Sequence, residues 1–143
     1  MDYIPKHFEP YELIPKETYR ILDRRNELYK VWWLFDPRIL MTADRIWEHY
    51  SSVSNKLVCN TWWWGGKSHY RGWRPPGCST GAEHSQHRFG RALDLIPTKV
   101  SVEEIRQEIK AGESFGSITC IEDDISWLHI DCRNYQGLLI VHP

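Results

Sequence analysis

Within residues 83–94, "EHSQHRFGRALD", two histidines, a glycine and an aspartate lead into an apolar run. Asp94 is flanked by Leu93 and Leu95. Burying a carboxylate is costly unless something pairs with it, so a salt-bridge partner, a hydrogen-bonded turn or a metal ion is called for. A second stretch, "SWLHIDCR" at 126–133, alternates as a strand does. Leu128, Ile130 and Cys132 then share one face, while Trp127, His129, Asp131 and Arg133 share the other. By the same alternation Asp94 keeps company with Ala92 and Ile96, a poor setting for a merely solvated acid. Hydrolytic zinc sites take three protein ligands from His, Asp or Glu and leave a position for water. His87, Asp94 and His129 make such a set, and Gly90 lets the backbone turn between the first two.

The elements that must position these residues are partly legible. Residues 17–35 carry apolar side chains near helical spacing without glycine or proline, which predicts a helix interrupted at Pro37. A second helix fits 37–51, with proline in its first turn. "KLVCNTWWW" is expected as a strand ending at Gly65 and Gly66. Residues 65–90, rich in glycine, serine and proline, predict a long irregular connection of the kind that carries function. A strand over "GRALDLIP" follows. Ser101 with Glu104 three positions on predicts a capped helix ending at Gly112. The remainder suggests two or three strands, with turns at Asp123-Asp124 and at 134–137. The expected fold is α+β, N-terminal helices packed on a mainly antiparallel sheet.

With 143 residues, one domain is expected: a helical lead-in over about 1–55 and a site-bearing core over about 56–143. The net charge of −1 supplies no global field for nucleic acid. No basic segment followed by an apolar one opens the chain, and no long apolar run follows, so a chain made in the cytoplasm without a signal peptide or membrane span is expected. Cys59, Cys78, Cys120 and Cys132 form no CxxC pair and are read as reduced, mostly buried thiols. Of the 8 tryptophans, Trp32, Trp33 and Trp47 are expected in the core. Three successive rings at Trp62, Trp63 and Trp64 cannot all face one side, so at least one lines a groove or surface.

"SQHRFGRALDL" followed by "WLHIDCR" resembles the S-x-H-x-x-G-x-A-x-D and W-x-H-x-D motifs of the D-alanyl-D-alanine carboxypeptidase family of zinc peptidases. That family includes phage endolysins and shares its fold with the hedgehog signalling domain. "RGWRPP" is similar to its S-G-Y-R-P segment, with Arg71 in place of the serine. The matched motifs span residues 72–133, and "HFEPYELIP" with the two helices resembles the lead-in of small phage members. The resemblance implies that His87, Asp94 and His129 bind Zn2+ and that Arg74 contacts substrate, its fork suited to a carboxylate or a polarised carbonyl. It implies that Ser85 and Gln86 shape the site and that Asp131 fixes an imidazole or an arginine. Trp73 and Trp127, with Trp62–Trp64, would wall a substrate groove.

The general base is open at this level. Many members carry an acid three residues before the last histidine, where this chain has Ser126. Others carry it on the preceding strand, which fits Glu122; Asp123 and Asp124 are rivals, and no acid at all is the remaining case. The expected function is hydrolysis of peptidoglycan stem peptides, between two D-alanines as a carboxypeptidase or between L-alanine and D-glutamate as an endopeptidase, by a monomeric phage or prophage enzyme acting on the wall at lysis or as part of a virion. The alternative is an inactive zinc-stabilised binding or virion structural module. Nucleic-acid binding through Lys67, His69, Tyr70, Arg71 and Arg74 leaves Asp94 and His129 unexplained, so no nucleic-acid partner is expected.

Overall fold

In a computed structural model of the protein, which describes residues 2–143, the lead-in folds as short helices. These are α1 (Pro10–Leu13), α2 (Lys16–Arg24) and, after a 3-10 segment at Leu28–Leu34, α3 (Pro37–His49). The single helix expected over 17–35 is therefore two pieces. Asn26 is the reason: it takes the left-handed conformation, φ 56°. Its N–H bonds to Asp23 O at 2.9 Å while Glu27 N–H reaches back to Leu22 O at 2.8 Å. This paired closure ends a helix as glycine does, and asparagine tolerates it. In contrast, α3 matches its expected span, with Pro37 in the first turn and Asp36 accepting from the Arg38 N–H as its cap.

Five strands form one mixed sheet in the order β1-β2-β4-β3-β5: β1 (Leu57–Val58), β2 (Ala92–Pro97), β3 (Cys120–Glu122), β4 (Leu128–Asp131) and β5 (Leu139–Val141). Three of the four pairings are antiparallel, and β5 joins β3 in parallel. The expected strand over "KLVCNTWWW" shrinks to two residues. Beyond it Asn60 leaves the sheet, its Nδ2 donating to Ile14 O at 3.0 Å, and Trp62–Trp64 form a 3-10 turn closed by Gly65 at φ 97°. Between β2 and β3 runs α4 (Val102–Lys110), capped as expected by Ser101 Oγ accepting from the Glu104 N–H. Residues 65–85 have no regular element before the 3-10 turn at Gln86–Phe89.

One hydrophobic core reaches from Phe8 to Cys132, so the lead-in and the sheet are not separate cores. Leu93, Leu95, Leu128 and Ile130 from the two central strands are fully buried in it beside Ile105 of α4 and Ile39 of α3. Burial of such side chains contributes about 1.5–3 kcal/mol each. The alternation that sends these leucines and isoleucines into the core sends Asp94 and His129 to the opposite face. Cys59, Cys120 and Cys132 are buried and all four cysteines are free thiols. Trp32 and Trp47 pack against the core, but Trp33 does not; it is exposed, paired edge-on with Tyr29. Among the described residues no helix is long and apolar enough to cross a membrane.

Candidate metal centre

The register of the central ladder builds the site. Asp94 on β2 lies directly across from His129 on β4. Continuing the β3–β4 pairing of Cys120 with Asp131 and Ile121 with Ile130 brings Glu122 level with His129 from the other side. Three adjacent strands thus place a carboxylate, an imidazole and a second carboxylate in one row. His87 comes from the 3-10 turn before β2. That turn is capped by Ser85, whose Oγ accepts from the His87 N–H, and closes at Gly90 with φ 66°. A side chain at Gly90 would also collide with the Leu34 carbonyl, so conformation and space both demand glycine there.

Ligand atoms of His87, Asp94 and His129 lie within 4.8 Å of one another, and all three residues are buried. Each imidazole is held by the nitrogen that faces away from the group. His87 Nδ1 is 2.9 Å from the Gly72 carbonyl; since a carbonyl only accepts, Nδ1 carries the hydrogen. In the neutral ring Nε2 then offers a lone pair 3.3 Å from Asp94 Oδ2, a contact that a shared cation or a proton relieves. His129 Nε2 is 2.9 Å from Asp131 Oδ2, and its Nδ1 is 2.8 Å from Asp94 Oδ1. Anchoring of the distal nitrogen by a carbonyl or carboxylate is how proteins orient metal-binding histidines. This buried group can hold a metal ion.

Electrostatics without a metal agree with a site built for positive charge. Burial pushes the Asp94 carboxyl up, but its close contacts with the His129 and His87 imidazoles outweigh it and hold Asp94 far below the usual carboxylate range. Burial opposes charge on His129, yet Asp131 and Asp94 together carry its pKa up to about 9. Asp131, similarly disfavoured by burial, is held at about 2 by His129 and Arg133. A proton on His129 therefore occupies the place that a cation would take.

The group forms one wall of a cavity of about 250 Å³ that also exposes Arg74, Gln86, Glu122, Trp127 and Arg133. Arg74 is buried, and each of its three nitrogens has a partner: Nε donates to Tyr70 O at 2.7 Å, Nη1 to Ser85 Oγ at 3.3 Å and Nη2 to Asp94 Oδ2 at 3.4 Å. Gln86 lines the cavity with its Oε1 buried and without a partner among the described residues. Of the three candidate bases, Glu122 lines the cavity, and among the described residues its carboxylate has no ion-pair partner. Asp123 pairs with Lys110 at 2.7 Å, and Asp124 with His142 at 2.9 Å out in solvent. Buried Arg106 of α4 fixes the turn that sets Glu122, donating to the carbonyls of Ile125 and Trp127.

Trp127 borders the cavity, whereas Trp73 is not among its lining residues and packs on the core. Trp63 and Trp64 are exposed, as the triplet required, but no member of Trp62–Trp64 lines the cavity. Two participants have no role assigned to them by the sequence. The Gly72 carbonyl has no side-chain signature, although the segment around it is stitched to the site: Arg71 O accepts from the Asp94 N–H at 2.8 Å and the Arg74 N–H donates to His87 O at 3.2 Å. Arg133 falls on the same alternating face as His129 and Asp131, which was the signal for it. In comparisons with known proteins, no family model, no curated protein and no solved structure matches the chain.

Proposed function

We propose that the chain is a zinc-dependent peptidase that hydrolyses peptide stems of bacterial peptidoglycan, as its likeness to the D-alanyl-D-alanine carboxypeptidases implies, and that it shares their hedgehog-like fold. The observation that carries this reading is the buried His87-Asp94-His129 group in one cavity with a pinned Arg74 and with Glu122, which has no ion-pair partner among the described residues. The donor set fits zinc, for which two imidazoles and one carboxylate are ordinary ligands. Bound zinc supplies Lewis acidity, which brings the pKa of a coordinated water toward neutrality and polarises a carbonyl.

The chain's own groups do the rest. Glu122, without an ion-pair partner among the described residues, takes the proton from the attacking water and returns it to the leaving amine. Arg74 has two N–H bonds beyond its three recorded contacts, held in fixed orientation by Tyr70, Ser85 and Asp94; these stabilise negative charge that develops on the carbonyl oxygen. Trp127, on the cavity rim, gives the peptide an apolar wall. Asp131 keeps the His129 ring turned toward Asp94. The cavity accommodates a short peptide segment, and the partner we assign is the peptidoglycan stem, met by a monomer with no role for nucleic acid or membrane. A phage lysis enzyme or a virion component fits this chemistry equally.

The test is release of peptide fragments from purified peptidoglycan by zinc-loaded parent and Glu122→Gln protein. Cleavage by the parent that falls by at least about 100-fold in the variant, with zinc retained, supports both the activity and the base. Zinc retention with no cleavage by the parent would favour the inactive binding module.

A further inference from the structure

The cavity carries a second guanidinium, which the mechanism above does not use. Arg133 lines it beside Glu122 and Trp127. One edge of its side chain is locked on a fully buried carboxylate: Nε donates to Asp131 Oδ1 at 2.8 Å and Nη2 to Oδ2 at 2.6 Å. The Arg133 backbone N–H also donates to Oδ1, at 3.2 Å. Among the described residues Nη1 has no partner, and the side chain is 30% exposed. Arg74 differs: every one of its three nitrogens is engaged and its side chain is only 10% exposed. One guanidinium is thus committed to the reaction centre, and the other is held rigid with donors to spare where solvent reaches the cavity.

We infer that Arg133 is a specificity-determining residue that binds a carboxylate of the substrate. This rests on the peptidase reading above. A planar fork fixed along one edge presents its remaining N–H groups at low entropic cost, and charge-assisted bonds to a carboxylate are the strong ones. The edge that Asp131 leaves free is also unclaimed: Glu122, which lines the same cavity, makes no ion pair with Arg133 among the described residues. Because Asp131 holds both Arg133 and His129, the anionic end of the peptide is registered against the same carboxylate that sets a metal ligand. A stem peptide offers at least two such carboxylates, the C-terminal one and that of its internal glutamate.

The experiment uses four synthetic stem peptides, with each of these two carboxylates either free or amidated, and zinc-loaded parent, Arg133→Gln and Arg133→Lys proteins. Both kcat/KM and binding by calorimetry to the Glu122→Gln background are read. The parent is expected to prefer one free carboxylate over its amide by on the order of 10- to 100-fold, and the position that matters identifies the source. Arg133→Gln collapses that ratio to near one, and Arg133→Lys restores part of it. A parent that does not discriminate in either readout overturns the inference. So does an Arg133→Gln protein that weakens free and amidated peptides equally, since that is the mark of a mere prop for Asp131. A parent that cleaves nothing yet discriminates through Arg133 in the binding readout sinks the peptidase reading and leaves the carboxylate site standing.

Discussion

Asp94 and His129 face each other across β2 and β4 as direct register partners, with Nδ1 and Oδ1 2.8 Å apart. The bond between them places a proton on the His129 nitrogen that faces Asp94, so a metal ion taken up by the proposed centre would compete with hydrogen ions.

That competition has a defined pH signature in the metal-free protein. The pKa of His129 rises from 6.5 to about 9 on folding. Its contribution to stability is therefore complete below pH 6.5 and is lost as pH climbs through about 9. Thermal midpoints measured with a chelator present should fall across that window, and zinc should remove most of the fall. A flat profile in the chelated protein would contradict the assigned charge state.

Asp131 does not touch the His129 nitrogen that faces Asp94, but it holds that ring by its other nitrogen. Asp131→Asn should weaken zinc binding by about 10- to 100-fold, read by competition against a chromophoric chelator. Asp94→Asn, which removes the one carboxylate of the proposed ligand set, should weaken it further. Equal affinities for Asp131→Asn and the parent would show that the His129 ring is held by other means.

Gly90 sits in the left-handed region and against the Leu34 carbonyl. Gly90→Ala should destabilise the fold by more than the roughly 1–2 kcal/mol of the backbone term alone, as the midpoint of urea unfolding will show. A loss near zero would mean that the turn before β2 can shift freely, and with it His87.

Arg106 reaches from α4 to two carbonyls of the β3–β4 turn. Arg106→Met should cost about 1.5–3 kcal/mol, the range for hydrogen bonds to a charged group. It should also lower turnover more than zinc affinity, because the turn sets Glu122 and not the ligands. Parallel losses in both would place the damage elsewhere.

Much of the site was legible because strands repeat every two residues. That periodicity alone put Asp94 on one side of β2 and His129 with Asp131 and Arg133 on one side of β4. Helix limits were readable wherever a local signal existed, as at Pro37 and Ser101. The break at Asn26 was missed because the span lacked glycine and proline, although asparagine is the next residue to suit a left-handed closure. The short β1 and the parallel seat of β5 depend on distant partners, Ile14 for Asn60 and β3 for β5, which no local window contains. The Gly72 carbonyl is invisible for a different reason: every residue has one, and only the fold decides which carbonyl faces a histidine.

The most direct measurement is the zinc content of protein loaded with the metal and freed of excess, for the parent and for His87→Ala, Asp94→Asn and His129→Ala. About one zinc per chain in the parent, lost in each variant while the fold persists by circular dichroism, is the expected result. A parent that keeps no zinc, or variants that keep it all, would contradict a metal centre at Asp94.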